Sequence, residues 1–393
     1  MITAKDLIGN EDLEYAISIR RELHRNPELG FDLPQTVALV KRELEKMGID
    51  WIDSYAPCSV AGYIGQGTTT IGLRADMDAL PVQEKTGLPF ASNIPGRMHA
   101  CGHDAHTAIL LALARALKRN EDKLGVRVKL LFQPSEECEI SGAKAMLEGG
   151  AVDDVDCVVC THCLDSQRSG NIGYHFGHYM AACDPVTITF SGKTAHATMP
   201  EKGIDAIAMA YEAMGEMKQI AAQVAGEKSY IFSYGFIQGG TAHNVIADQC
   251  TLKVSFRYFD MEMAKEIKER CIAACEKIAT QIGGSVEIDW KMSAPPVYND
   301  NALTESFVRS VRKIIPEKLE EVPLRNSTED FAWFLTKKPG FIFRFGTNHP
   351  EKGCTGSLHG NDFVIDEDSM LSAILAFAQF VMDCSAKVKE NLP

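Results

Sequence analysis

Residues 98–106 constrain this chain most, because they crowd one thiol, three imidazoles and a carboxylate just before a strongly helical stretch. Cysteine and neutral histidine are the preferred protein ligands of zinc and its neighbours in the transition series. Gly102 lets the backbone turn tightly between Cys101 and His103. Either of these two would more often be structural, but together at the start of a helix they predict a metal site. His106 lies one turn beyond His103 on the same face, and we interpret it as a supporting or packing residue.

An acidic pair follows a buried-looking strand that the apolar pattern predicts over residues 126–132. Glu136 and Glu137 come just after this strand, although two adjacent carboxylates are most often a solvated surface pair. The carboxyl ends of parallel strands are where the active sites of α/β proteins gather. Because neighbouring side chains diverge, one carboxylate can bind a metal while the other exchanges protons with water and a leaving amine. The spacing does not rank the two, but their position indicates metal-assisted hydrolysis.

Further candidates lie at other strand ends and in a distant turn. Asp76 and Asp78 follow a short predicted strand, where they can cap a turn or orient a metal-bound imidazole; Asp78 is the better candidate for the second task. His162 comes at the end of a strand predicted over residues 157–161. His359 lies in a turn far along the chain and, taken alone, is typical of a surface histidine.

Composition and cysteine usage exclude several classes of protein. The net charge of -13 argues against binding to nucleic acid or to an anionic membrane. The N-terminus has no apolar signal core, and no apolar run approaches the length of a membrane span, so we predict a cytoplasmic protein. The 12 cysteines fit reduced thiols. Cys157, Cys160 and Cys163 do not indicate an iron–sulfur cluster, because on a strand Cys160 points away from the other two.

The length of 393 residues is too great for one ordinary core, so two domains are expected. The pattern over residues 184–290 alternates as strand, helix, strand, strand, helix, strand, which is the ferredoxin-like order. We predict an α/β protein whose catalytic domain has a central, mostly parallel sheet flanked by helices, with an inserted α+β ferredoxin-like domain. The predicted boundaries are residues 1–183 and 292–393 for the first domain and 184–291 for the insert.

The inserted domain has its own candidates for substrate binding. His196 follows one predicted strand, and His243 and Asn244 lie in a glycine-rich turn after another. Such groups can polarise a substrate carbonyl or bind a carboxylate, although ordinary hairpin-turn chemistry explains the turn equally well. Arg257 can pair with a substrate carboxylate or take part in a surface ion pair. The apolar helix predicted over residues 204–223 suits either a dimer contact or the domain's own core.

These segments together resemble the aminoacylase/carboxypeptidase family of dinuclear metallopeptidases, and most closely its amidohydrolase branch. That branch includes hippurate hydrolases, auxin-conjugate hydrolases, N-acetyl-diaminopimelate deacetylases and aminobenzoyl-glutamate hydrolases. No single motif is specific for this family, but the occurrence of all of them in the same order over nearly the whole chain is. The motifs lie at residues 21–30, 74–81, 99–104, 132–137, 192–197, 239–246, 329–331 and 358–359.

The resemblance implies a site that spacing alone does not. It makes Glu136 the general acid/base and the inserted domain a lid and dimerisation domain that presents His196 and the Asn244 turn to the substrate, so a homodimer is expected. The chain departs from the branch at Cys163 and Asp165, where a hydrophobic residue and a nearby proline are usual, and these can alter metal preference or the pocket wall. The implied ligands of two divalent metal ions, zinc, manganese, cobalt or nickel, are Cys101, His103, Glu137, His162 and His359.

We therefore expect a metal-dependent amidohydrolase that cleaves the amide bond of a small N-acyl or N-aroyl amino acid by metal-activated water, with Glu136 as general acid/base. A dipeptidase or carboxypeptidase on the same scaffold is the nearest alternative. A non-catalytic, metal-stabilised binding protein is the alternative from another class. The presence of Glu136 argues against it, because a structural zinc site needs no further carboxylate beside it.

Overall fold

The computed structural model describes the backbone of residues 3–390 and the side chains of residues 3–386. Helices and strands alternate through most of this range. The helices are α1 (Ala4–Leu7), α2 (Asn10–Arg25), α3 (Pro34–Lys46), α4 (His103–Arg119), α5 (Gly142–Glu148), α6 (Ala206–Ala225), α7 (Met261–Ile282), α8 (Asn301–Arg312), α9 (Ala332–Leu335) and α10 (Met370–Glu390). The strands are β1 (Trp51–Ile52), β2 (Val60–Ile64), β3 (Thr70–Asp76), β4 (Arg127–Gln133), β5 (Cys157–Arg168), β6 (Ile172–Tyr174), β7 (Gly177–Met180), β8 (Ala182–Ser191), β9 (Tyr230–Gly239), β10 (Gln249–Tyr258), β11 (Ser285–Trp290), β12 (Val297–Asn299), β13 (Leu319–Glu321) and β14 (Gly340–Asn348).

The chain divides into two compact units. The first runs to Tyr179 and resumes over Tyr298–Leu324 and from Asp330 onward. The second comprises Met180–Val297 and the short segment Arg325–Glu329. The sequence-based limits of residues 184–291 for the inserted domain stay a proposal about which part of the chain folds as a unit.

An eight-stranded sheet forms the centre of the first unit, in the order β1-β2-β4-β3-β5-β14-β6-β13. Its middle strands β4, β3, β5 and β14 are parallel. Every residue of β3 is buried, as expected for a parallel strand that helices cover on both faces. Asp76 on β3 pairs with Gln133 on β4, so the residues that follow these two strands emerge at the same edge of the sheet.

Strand β5 is longer than its sequence pattern indicates. We predicted a strand over residues 157–161 with His162 at its end, and that boundary is wrong, because β5 continues to Arg168. The extra residues pair with β14, where Arg344 lies opposite His162 and Asn348 opposite Arg168. His162 is therefore held inside a paired strand and not in a loop.

The second unit has the predicted β-α-β-β-α-β order, in a four-stranded antiparallel sheet ordered β11-β8-β10-β9. Strands β8 and β10 alternate between buried and more exposed residues, as expected for a sheet with one face on a core. Met209 and Met217 of α6 are fully buried in that core. These two methionines fit the interpretation of the helix as part of the unit's own core. Ile207 and Tyr211 of the same helix are exposed, so the dimer contact stays a prediction.

A membrane-like stretch does occur in the described part of the chain. Residues Glu367–Ala386 are long and apolar enough to cross a membrane by length and composition, so the prediction that no such run exists is wrong. However, 72% of an 18-residue segment within this stretch is buried inside the protein. Phe377 and Phe380 of α10 pack against Phe343 and Phe341 of β14. The stretch is a core helix of the first unit, and core helices can be as apolar as membrane spans.

Candidate dinuclear metal centre

The loop before α4 places a sulfur donor, Cys101, and a nitrogen donor, His103, on either side of Gly102. Gly102 caps the helix in the left-handed conformation, with φ of 80°, between Cys101 and the first helical residue His103. A Cβ atom at Gly102 would lie 2.6 Å from the sulfur of Cys163, so both the backbone angle and the space require glycine. The Cys163 thiol also donates a hydrogen bond to the carbonyl oxygen of Cys101 at 3.2 Å, which supports this loop.

Two groups of possible ligands share Cys101. The first consists of Cys101, His103 and His162, and all three are buried. The second consists of Cys101, Glu137 and His359. Within each group the ligand atoms lie within 4.8 Å of one another. Cys101 would therefore lie beside two neighbouring metal positions, as a dinuclear centre requires of at least one shared donor region.

Three buried polar atoms at this centre make no hydrogen bond of good geometry among the described residues: both ring nitrogens of His103 and Oε1 of Glu137. Each faces an ionisable neighbour instead, Asp78 at 3.5 Å, Glu136 at 3.8 Å and His359 at 3.1 Å. Buried polar atoms are nearly always paired, so such a cluster points to a bound group that would satisfy them. Nitrogen, sulfur and carboxylate donors suit a divalent transition metal. The residues present therefore fit a metal pair.

The hydrogen bonds of His162 determine which nitrogen can bind a metal. Its Nδ1 lies 2.8 Å from the carbonyl oxygen of Cys163, which can only accept, so Nδ1 carries the proton. Nε2 is left with its lone pair, 3.4 Å from the sulfur of Cys101. Burial lowers the pKa of His162 well below its usual range, which keeps the ring neutral. A neutral imidazole of fixed orientation is the form that coordinates a metal.

His106 is a support for the ligands. The backbone N–H of Cys163 donates to Nε2 of His106 at 2.9 Å, so Nδ1 must carry the proton and donate to Asp76 at 2.6 Å. Burial lowers the pKa of His106 as well. The other oxygen of Asp76 accepts from Arg74 at 2.6 Å. This chain of bonds fixes the backbone next to His162.

Asp78 connects the acidic pair to His103, a candidate metal ligand. Its two carboxylate oxygens accept the backbone N–H groups of Glu136 and Glu137, at 2.9 and 3.1 Å. Oδ1 of Asp78 also lies 3.5 Å from Nδ1 of His103. Asp78 thus holds the backbone of the acidic pair and faces the imidazole that we expected it to orient.

Glu136 and Glu137 do not diverge as expected, because both approach Nε2 of His103, at 3.8 Å from Oε2 of Glu136 and 3.9 Å from Oε1 of Glu137. Glu137 Oε1 lies 3.1 Å from Nε2 of His359, within the second ligand group. Glu136 belongs to neither of the two groups that share Cys101, but it forms a further group of possible ligands with His103 and Glu137. Its side chain is 10% exposed.

The electrostatics of the centre favour a cation. Burial opposes a charge on His103, but the carboxylates of Asp76 and Asp78 outweigh it and raise the pKa of His103 to about 10. Burial, reinforced by Glu137, raises the pKa of the Cys101 thiol well above its usual range. A divalent ion would reverse both effects, because a coordinating thiol loses its proton.

The candidate substrate-binding residues of the second unit lie on its surface. His196 and the turn that contains His243 and Asn244 are exposed and adjacent, since the N–H of Ala197 donates to the carbonyl oxygen of Asn244 at 3.0 Å. Arg257 donates to the carbonyl oxygen of Asn326 at 2.9 Å and to Oγ1 of Thr328 at 3.1 Å. Arg257 therefore has a structural task, and its role in substrate binding stays a prediction.

Two buried networks beside the centre received no role from the sequence. Arg74 bonds to Gln133 and Asp330, which anchors the end of β4. Asp104, next to His103, accepts hydrogen bonds from Arg20 at 2.9 Å and from His24 at 2.7 Å. His24, Arg74, Asp104 and Asp330 lie within motifs of the family resemblance, but no local pattern pairs them, because their partners lie far away in the sequence.

Comparison with known proteins agrees with this site. Residues 72–383 match the model of peptidase family M20/M25/M40. N-acetyl-L-cysteine deacetylase of Bacillus subtilis is 37% identical over 360 residues, which cover 91% of this chain and 85% of that protein. Thermostable carboxypeptidase 2 of Saccharolobus solfataricus is 34% identical over 379 residues, covering 95% and 96%.

A solved structure shows the same likeness in three dimensions. The dinuclear metal-binding peptidase of the M20 family from Bacillus subtilis superposes with a TM-score of 0.83 at 31% identity, covering 96% of this chain and 99% of that one. The fold and the paired ligand groups define a dinuclear metallohydrolase. The chain belongs to peptidase family M20/M25/M40, and it is a hydrolase that acts on amide bonds. The resemblance and the fold class inferred from the sequence are confirmed.

Proposed function

We propose that this hydrolase releases an amino acid from a small N-acyl or N-aroyl amino acid, with Glu136 as general acid/base. The position of Glu136 carries the proposal, because its carboxylate lies 3.8 Å from Nε2 of His103 and is not needed to complete either ligand group that shares Cys101, although it forms a further group with His103 and Glu137. A purely structural metal site needs no such carboxylate. The name of the deacetylase relative supports an N-acyl amino acid as the substrate class.

Five residues would hold the two metals, with Cys101 shared between the sets. Mixed thiolate, imidazole and carboxylate ligation suits zinc, manganese, cobalt or nickel, and availability often decides between them. The ligands of one set are Cys101, His103 and His162, and those of the other are Cys101, Glu137 and His359.

The chain's own residues then divide the chemistry. When bound, the metals polarise the amide carbonyl and lower the pKa of the attacking water. Glu136 accepts the proton of that water on a carboxylate oxygen and later donates it to the leaving amine nitrogen. Asp78 keeps Glu136 and Glu137 in place, because its carboxylate accepts hydrogen bonds from their backbone N–H groups. Rigid placement of this kind lowers the barrier without further contacts to the substrate.

The second unit is proposed to bind the substrate. His196, His243 and Asn244 have exposed polar side chains that suit a substrate carboxylate or carbonyl oxygen, and Arg257 suits a carboxylate. We also propose a homodimer in the cytoplasm. The cytoplasmic location is supported by the 12 cysteines, all of which lie outside disulfide bonds.

Amine release from a substrate panel tests the function. The panel contains N-acetyl, N-benzoyl and N-aminobenzoyl amino acids, dipeptides and longer N-blocked peptides. The purified protein is assayed after chelation and after zinc, manganese, cobalt or nickel is added back. We expect metal-restored turnover of one N-acyl class. Absence of turnover with every metal, despite binding of two metals, would favour the non-catalytic alternative.

The variant Glu136→Gln tests the assigned role. It should lower kcat by about 10²- to 10⁴-fold with unchanged metal content, because the amide cannot carry the proton. Glu139→Gln is the matched control, since Glu139 is an exposed acid in the same loop. Turnover of Glu136→Gln equal to that of Glu139→Gln would remove Glu136 from the mechanism.

A carboxypeptidase is the second candidate, and the relative from Saccharolobus solfataricus favours it. The two activities share the same metal chemistry and differ in what precedes the cleaved bond. Faster release of a C-terminal residue from N-blocked peptides than of an amino acid from N-acetyl or N-benzoyl substrates would select the carboxypeptidase.

A further inference from the structure

The turn that carries His359 needs outside support. His359 has a φ of 65°, a left-handed conformation that costs energy in a residue with a side chain. Its side chain is 55% exposed, so packing alone does not immobilise it. A ligand on such a turn coordinates well only if the backbone is held in place.

Three hydrogen bonds hold this turn. The N–H of His359 donates to the carbonyl oxygen of Ala100 at 2.8 Å, and the carbonyl oxygen of Asn361 accepts from the N–H of Lys85 at 2.7 Å. Both are bonds between backbone groups. The third comes from a side chain, because the N–H of Leu358 donates to Oδ2 of Asp165 at 2.9 Å.

Asp165 is itself well placed for this task. It lies on β5, three residues after His162, so one paired strand carries a ligand of the first metal set and the support of the second. Its own carbonyl oxygen accepts from Nδ2 of Asn348 on β14 at 2.9 Å, which fixes its backbone. Asp165 belongs to neither ligand group that shares Cys101.

We propose that Asp165 is a positioning residue that sets the His359 turn and thereby the affinity of the second metal position, formed by Cys101, Glu137 and His359. The inference rests on the proposed ligand set. Residues that orient metal ligands typically change metal affinity by about 10- to 100-fold when they are removed. The first position, with His103 and His162, takes no ligand from this turn.

Metal titration of the chelated protein tests the proposal without relying on activity. Bound Co²⁺ is counted by equilibrium dialysis and followed by its visible absorption. The wild-type protein should bind two ions per chain. Asp165→Ala should bind the first ion as the wild type does and the second about 10- to 100-fold more weakly. Asp165→Asn should bind both within about threefold, because the amide oxygen can accept the same N–H group.

Two further variants serve as a control for the loss of an acidic residue and as a test of the ligand set. Glu351→Ala removes an acid from another exposed turn and should bind both ions normally. His359→Ala should lose the second ion; if it binds both, the proposed ligand set is wrong and the role of Asp165 falls with it. With the ligand set intact, unchanged binding in Asp165→Ala, or equal weakening of both ions, would overturn the inference. Turnover of Asp165→Ala should recover at saturating metal, because only occupancy is lost.

Discussion

At the scale of single residues, the surroundings of the metal centre keep several histidines uncharged. His99 has neither ring nitrogen hydrogen-bonded among the described residues. Burial, only partly opposed by Asp104, lowers the pKa of His99 to about 3. Below a pH of about 6.5 the unfolded chain binds a proton at this residue that the folded protein does not bind. The contribution to stability is therefore present above that pH and is lost as the pH falls toward 3.

The metal-free protein should lose stability on acidification, and His99 should account for about 1.4 kcal/mol per pH unit between pH 6 and pH 4. Urea unfolding across this range measures the slope. In His99→Gln the slope should decrease by about that amount, whereas His178→Gln, which alters an exposed histidine, should leave it unchanged. An identical slope in His99→Gln and the wild type would contradict this account.

At the scale of secondary-structure elements, a buried lysine joins the antiparallel and parallel parts of the large sheet. Lys129 on β4 has a fully buried side chain and lies opposite Tyr63 of β2. Its ammonium donates to Asp154 at 2.7 Å and to the hydroxyl of Tyr55 at 3.0 Å. A buried charge destabilises the fold once its partners are removed, so the stability of the sheet around β4 depends on Asp154.

Asp154→Ala should lower the free energy of unfolding by about 1–3 kcal/mol, because it leaves the buried ammonium without its counter-charge. Lys129→Met removes the charge itself and should cost less than about 1 kcal/mol. The double variant should be more stable than Asp154→Ala alone. Urea unfolding followed by circular dichroism measures all three. A larger loss in Lys129→Met than in Asp154→Ala would show that the lysine itself stabilises the sheet.

At the scale of the whole molecule, the proposed metal ligands come from segments spread over the first unit. Cys101 and His103 precede or begin α4, Glu137 follows β4, His162 lies within β5 and His359 lies in a late turn. Metal binding therefore requires the folded first unit, and binding to the folded state alone stabilises that state. The second unit supplies no residue to either ligand group and is expected to unfold independently of metal.

Chelation should lower the melting temperature of one transition and leave the other in place. At a free metal concentration 100 times Kd, the linkage amounts to about 2.7 kcal/mol, which corresponds to about 5–10 °C for the first unit. Differential scanning calorimetry with and without chelator measures the shift. Cys101→Ala lacks the shared ligand. The melting temperature of its first unit should be the same with and without chelator. A shift that persists in Cys101→Ala would show that the stabilising metal binds elsewhere.

Local patterns in the sequence account for most of the elements and for the types of donor at the site. The periodicity of apolar residues predicted the β-α-β-β-α-β unit, and Gly102 predicted a tight turn between Cys101 and His103. Both are confirmed because strand and helix periods and turn conformations are properties of neighbouring residues. The sequence alone did not rank Glu137 above Glu136, nor promote His359 from an ordinary surface histidine.

Only the tertiary structure decided which groups meet. The length of β5 depends on its pairing with β14, and the apolar stretch of α10 is a core helix because the first unit surrounds it. The bond from Asp165 to Leu358 joins residues 193 positions apart. No local pattern encodes such a contact, since it exists only after the chain has brought distant segments together. The sequence by itself therefore determined the elements and the chemistry on offer, and the fold determined which of those groups act together.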